Sequence, residues 1–211
     1  LENKYTIRVA KTAPHEVDNV RQLNYQFIQS LDLSDEDIQE LIAPTVNEIK
    51  VTIGLDPRKS IVYLCGKNLK AENLKPKHTL KLVITTYEEE GFGLSYLPKM
   101  DEMLAVDMGC VGLHLEGSEE KVSICAKDSR GPYNYDMNTK LINLAKELKL
   151  DYCVDVFPYY SSDVSVALRS GHNIKGALIG SGVAASHGME RSHINGVKNT
   201  YELLKAYVLT K

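Results

Sequence analysis

Three consecutive glutamates, Glu88-Glu89-Glu90, follow the apolar run Leu80-Lys81-Leu82-Val83-Ile84 and stand just before Gly91. Carboxylates at the end of a buried strand are costly to leave unpaired. In α/β proteins the carboxyl ends of strands are also where ligands and metals collect. Three more side chains share this character: Asp56 at a helix entrance, Asp107 after Met103-Leu104-Ala105-Val106, and His193 in Glu190-Arg191-Ser192-His193. Carboxylate and imidazole are the ligand set of Zn²⁺, Co²⁺ and Mn²⁺. A carboxylate beside a ligating carboxylate can instead serve as base toward a metal-activated water. No local spacing ties these residues together, so the pattern leaves two readings open. One is a metal hydrolase; the other is a set of acids satisfied at the surface.

The elements that must position them read from periodicity. Alternation predicts strands over residues 4–10 and 46–53, with helices over 15–31 and 35–41 between them. Ser34 ahead of Asp35-Glu36-Asp37 supplies a cap and a first turn of acids for the second helix. Residues 1–54 thus form a small α+β piece without obvious chemistry, in which His15 reads as a solvated helix residue. From Leu55 onward helices and strands alternate. Helices are predicted over 59–69, 136–148 and 161–169, the last capped by Ser162 or Asp163, and from Asn195 or Gly196 to Val208. Strands are predicted over 79–87, 103–108, 121–126, 152–157 and 174–179, with Gly180-Ser181-Gly182 releasing a loop. That rhythm predicts an α/β catalytic domain over residues 55–211, a mainly parallel mixed sheet with helices on both faces.

Composition excludes several classes. The 211 residues are 43% hydrophobic and 25% charged with a net charge of −3, ordinary for a globular chain. Near-neutral charge gives no electrostatic grip on nucleic acid or an acidic membrane, and no apolar run reaches membrane-spanning length. Cys65, Cys110, Cys125 and Cys153 are scattered without a CxxC pair, as expected of buried free thiols in a reducing cytoplasm.

Four segments, in order, carry a family resemblance: Leu55-Asp56-Pro57-Arg58, Tyr87-Glu88-Glu89-Glu90-Gly91, Ala105-Val106-Asp107, and Ala185-Ser186-His187-Gly188-Met189-Glu190-Arg191-Ser192-His193-Ile194. Together they resemble the co-catalytic di-metal aminopeptidases of the glutamyl-aminopeptidase type, a family that forms dimers and tetrahedral dodecamers. The resemblance covers residues 55–211. It implies a zinc-peptidase-like fold and a metallo-aminopeptidase that hydrolyses N-terminal residues from peptides, acting as a cytoplasmic homo-oligomer. It implies two divalent ions, Zn, Co or Mn. Asp56 is expected to bridge them, Glu89 and His193 to bind one, and Asp107 to bind the other, with Glu88 as general base. Ser162, Asp163 and His187 are expected near the substrate, and Glu90, where the family usually has an apolar residue, reads as either exposed or set just behind the ligands.

One departure stands out. The family takes a further histidine for the second metal from an early His-Met-Asp-like segment, and this sequence has none; His15 follows Pro14 in a helical pattern. The chain also opens directly on a strand, and residues 1–54 resemble a remnant or variant of the family's dimerisation domain. The resemblance therefore implies a chain lacking its N-terminal segment, or a divergent member with fewer metals. The alternative reading is a catalytically impaired or truncated homologue serving as a structural or regulatory subunit. A third is a related di-metal hydrolase acting on another amide.

Overall fold

The structure, a computed structural model, describes residues 5–9, 61–83, 85, 87–94 and 96–210, with side chains from Cys65 onward. The helices expected over 15–31 and 35–41, the strand expected over 46–53, Asp56 and the boundary at residue 54 lie outside the described residues.

The chain runs β1 (Tyr5–Val9), α1 (Ile61–Ala71), β2 (Glu102–Cys110), β3 (Val122–Asp128), β4 (Gly131–Pro132), α2 (Tyr135–Glu147), β5 (Tyr152–Val156), α3 (Asp163–Arg169), β6 (Lys175–Val183), β7 (Met189–His193) and α4 (Ile194–Leu209). The main sheet is mixed. β2 lies parallel to β6 from Glu102↔Lys175 to Cys110↔Val183, and β3 and β5 pair in parallel across the α2 crossover. These two parallel pairs are joined back to back, because β3 meets β6 antiparallel at Val122↔Ser181 through Ile124↔Ile179. The two-residue β4 turns back on the end of β3. β1 and β7 form a separate antiparallel ribbon.

Alternation along each strand assigns the two faces. Val122, Ile124, Ala177 and Ile179 look toward α1, α2 and α4, where Leu141, Leu144, Leu69 and Leu203 fill the larger core. Cys125 and Leu178 look the other way, toward Phe157, Tyr133 and Val164 of α3. α3 lies close on this face, since a Cβ at Gly176 would collide with Val164. Among the described residues no helix is long and apolar enough to cross a membrane.

Two sequence expectations are corrected. The described part of 79–87 forms no strand, and Leu80, Leu82 and Val83 are 41, 45 and 39% exposed. An apolar run becomes a strand when it finds a ladder partner; here Leu82 leans on α1 at Gly66 instead. Gly180-Ser181-Gly182 does not release a loop but continues β6 between β2 and β3. Glycine is required there because a Cβ at Gly180 would run into the Asp107 carbonyl. Glu190-Arg191-Ser192, to which the sequence assigned no element, lies in strand β7, whose charged sequence hides its pairing with β1.

Candidate active site

The acidic segment is a tight turn. Gly91 N–H donates to the Glu88 carbonyl at 2.8 Å and Phe92 N–H to the Tyr87 carbonyl at 3.1 Å. Tyr87 and Gly91 take φ of 60° and 73° at its two ends, a region costly for a tyrosine and open to glycine. Leu94 and Leu97 then plug into a small core with Ala167 of α3, flanked by Met100, Met103 and Ile174. Each buried leucine contributes about 1.5–3 kcal/mol, so the turn is fastened to α3.

Asp163 completes the fastening. It is buried at the first position of α3, and Thr85 Oγ1 donates to its Oδ2 at 2.7 Å. Gly93 lies so close that a Cβ there would collide with Asp163 Oδ1 and stand 3.1 Å from the Glu88 Cα. The acidic turn can rest on Asp163 only because residue 93 has no side chain. Gly93→Ala is therefore expected to lower stability by about 1–3 kcal/mol through overpacking. A thermal melt should show a loss of roughly 5 °C; an unchanged midpoint would mean that the turn has room to shift.

Asp107 arrives from the sheet. Met103 and Ala105 pack on the α3 side of β2 while Leu104 and Val106 pack on the other, so alternation puts Asp107 on the α3 side. Its Oδ1 accepts from Met108 N–H at 2.8 Å. Nearby, burial, then the charges of Asp107 and Asp155, push the Cys110 thiol up to about 11.

Tyr160, which the sequence reading did not single out, packs on His187 of the loop after β6. Its ring meets Phe157 edge-on with centroids 6.4 Å apart, and His187 at 6.5 Å. Burial raises its phenol well above the usual value, and the charges of Asp107, Cys110 and Glu88 raise it further. The available sequence signal was the aromatic run Phe157-Pro158-Tyr159-Tyr160 between a strand and a capped helix.

The loop after β6 adds His187, whose Nε2 lies 3.4 Å from Glu89 Oε2. The two side chains are 58 and 35% exposed, which limits the pair to about 1 kcal/mol or less. Its value is in orientation. Ser162, buried, caps α3 by accepting from Val164 N–H at 3.2 Å and contacts the Tyr133 hydroxyl at 2.8 Å. His193 ends β7 and caps α4, its Nδ1 accepting from Asn195 N–H at 3.2 Å and its backbone N–H donating to the Glu119 carbonyl at 3.3 Å. Glu90 is exposed, one of its two readings.

The oxygen and nitrogen donors of Glu89, Asp107 and His193 fit a divalent ion by chemistry. Among the described residues, however, no three His, Cys, Asp or Glu side chains gather closely enough to hold one. Glu89, Asp107 and His193 do not by themselves close a cage, and Asp56 lies outside the described residues.

A second acidic centre on the same face is fully accounted for. Asp128, completely buried at the end of β3, accepts from Arg130 and Gly131 N–H at 2.7 and 3.2 Å on Oδ1. Its Oδ2 accepts from the Tyr133 hydroxyl at 2.8 Å and the Ser165 hydroxyl at 2.5 Å. Four donors leave it no capacity for chemistry.

Comparison with known proteins bears on all of this. The model of a family described as M42 glutamyl aminopeptidase matches residues 38–203. The YhfE protein of Bacillus subtilis (strain 168) is 40% identical over 158 residues, 73% of this chain and 46% of the relative. The chain thus spans about half the length of that curated relative. Among solved structures, a TET aminopeptidase from the marine sediment archaeon Thaumarchaeota archaeon SCGC AB-539-E09 superposes with a TM-score of 0.63 at 12% identity, over 71% of this chain and 45% of that one. The TET1 peptidase of Pyrococcus horikoshii, described as assembling into a tetrahedron or a large octahedral shell, gives 0.50 at 16% identity over 58% and 37%. These two likenesses establish the fold.

Proposed function

Because this chain belongs to the M42 glutamyl aminopeptidase family, we propose that it carries the catalytic domain of an aminopeptidase that hydrolyses N-terminal residues from peptides. The observation that carries the reading is the match to the family model over residues 38–203, which takes in the Glu88-Glu89 turn seated on Asp163 beside His187. Glu88 is the general base: it takes the proton of the attacking water and returns it to the leaving amine. Glu89, Asp107, His193 and Asp56 would hold two divalent ions, Zn, Co or Mn. When bound, such ions polarise the scissile carbonyl and make the water more acidic. His187 orients Glu89 from behind, the usual role of an outer partner to a ligating carboxylate. Asp163 holds the acidic turn at the site, and with Ser162 it marks the side on which substrate is expected.

The TET1 peptidase of Pyrococcus horikoshii assembles into closed particles, and by that likeness this protein is expected to be a homo-oligomer. Its four unpaired cysteines suit the cytoplasm.

Metal retention tests the assignment. After loading with Zn²⁺, Co²⁺ or Mn²⁺ and desalting, Glu89→Ala should retain at least about tenfold less metal than the parent chain and release correspondingly little amino acid from unblocked peptides. Equal retention in both proteins would remove Glu89 from the ligand set. A parent chain that binds none of the three ions and releases nothing would support a structural or regulatory subunit instead.

A further inference from the structure

The β3–β4 turn and the last turn of α3 enclose a pocket of about 160 Å³ that the hydrolytic reading does not use. Pro132 and Leu168 give it an apolar lining, while Arg130 comes from the turn and Arg169 from the helix. Both arginines are exposed, and neither guanidinium has a hydrogen-bond or ion-pair partner among the described residues. No acidic side chain lines the pocket. Tyr133 and Ser165, which also line it, already donate their hydroxyls to Asp128. Lys127 adds a third cation to this corner, its Nζ donating to the Asp128 carbonyl at 2.8 Å. Three cations thus stand over one carboxylate, which is buried and saturated by its four donors.

The C-terminal end of a helix ordinarily repels an anion through its free carbonyls. Here the carbonyls of Val166, Ala167 and Leu168 accept from Ser170, His172 and Gly171 N–H at 3.0, 3.2 and 3.1 Å. The approach is open at Gly131, where an added Cβ would meet nothing within 4 Å. Uncompensated positive charge around a walled space with low-dielectric sides concentrates anions.

We propose that this pocket binds a small oxyanion, a phosphate or carboxylate on a compact body, between the Arg130 and Arg169 guanidinium groups. The guanidinium fork matches both oxyanions, and forks from two elements can hold one group from two sides. The volume, roughly that of five liquid waters, admits the anionic group and a short apolar body against Pro132 and Leu168. A bound anion ties α3 to the β3–β4 turn. Because α3 carries Asp163, on which the acidic turn rests, occupancy also stabilises the corner that holds Glu88. Binding here requires neither metal nor turnover, so it stands or falls apart from the peptidase reading.

Calorimetric titration of the full chain with inorganic phosphate and, separately, with acetate tests this, at an ionic strength fixed with sodium chloride. One equivalent of at least one of the two anions should bind, and the tighter one identifies the group the pocket takes. Arg130→Gln and Arg169→Gln should each weaken that anion at least about tenfold, the loss expected for a charge-assisted hydrogen bond. Without the anion, both variants should melt with the parent, since these guanidinium groups hold no partner in the fold. Arg169→Lys should recover part of the affinity, keeping the charge without the fork. Hydrogen exchange of the α3 amides should slow in the parent when the anion is present. Binding no stronger than that of chloride would overturn the proposal. So would equal binding by the parent and both glutamine variants, as at a metal ion elsewhere. Binding that leaves α3 exchange unchanged would overturn the link to the helix.

Discussion

Glu88→Gln is expected to lower kcat by about 10²–10⁴-fold, the usual contribution of a positioned base, with metal content and fold retained. The replacement keeps the shape of the side chain and the turn that carries it. The Glu88 carbonyl, not its carboxylate, closes that turn with Gly91, and Gly93 packs against the Glu88 Cα. The contact of Thr85 with Asp163 and the Leu94–Leu97 plug, which anchor the turn, are made by other side chains. Lost turnover therefore reports lost chemistry. The measurement is steady-state peptide release alongside elemental analysis and a thermal melt. If Glu88→Gln turns over normally, Glu88 is not the base; if it unfolds or loses metal, it has a different duty in the site.

Asp128→Ala is expected to be the most damaging change to the fold, costing about 3–5 kcal/mol, the scale on which removing one partner of a buried charged network falls. It would strand two backbone N–H groups and the hydroxyls of Tyr133 and Ser165, each losing its acceptor inside the protein. A thermal melt should drop by roughly 10 °C. Asp128→Asn should cost less, because its oxygen still accepts from Arg130 and Gly131 and the two hydroxyls can turn to accept from its amide. If both variants lose the same amount, the charge rather than the acceptor geometry holds this corner together.

Asp128 and the glutamates also mark where sequence reading reaches its limit. Each stands at or after an apolar run, and pattern treats them alike. What separates them is the set of donors that converge: four on Asp128, drawn from a turn, a neighbouring strand and a helix, none of them visible in local spacing. Strands β2, β3 and β5 and helix α2 were legible because their apolar faces repeat at the strand and helix periods. The run 79–87 was misread because the same alternation says nothing about whether a ladder partner is available. Gly180-Ser181-Gly182 was misread for the opposite reason: glycines that ordinarily mark a loop serve here to bring neighbouring backbones together. The family motifs did carry Glu88, Glu89, Asp107, His187 and Asp163 into view. The structure pairs Glu89 with His187 and seats Asp163 under the turn, while His193 caps α4.

The shortness of α3 has a thermodynamic consequence. Seven residues cannot sustain a helix on local propensity, so α3 exists through what it touches in its first turn: the Ser162 cap, Thr85 on Asp163 and Asp128 on Ser165. The acidic turn in its place leans on Asp163 and Ala167. Helix and turn consequently open and close as one cooperative unit. A fluctuation that frees Glu88 also frees the helix beneath it, so local disorder dismantles this corner as a whole and does not leave the turn half-held.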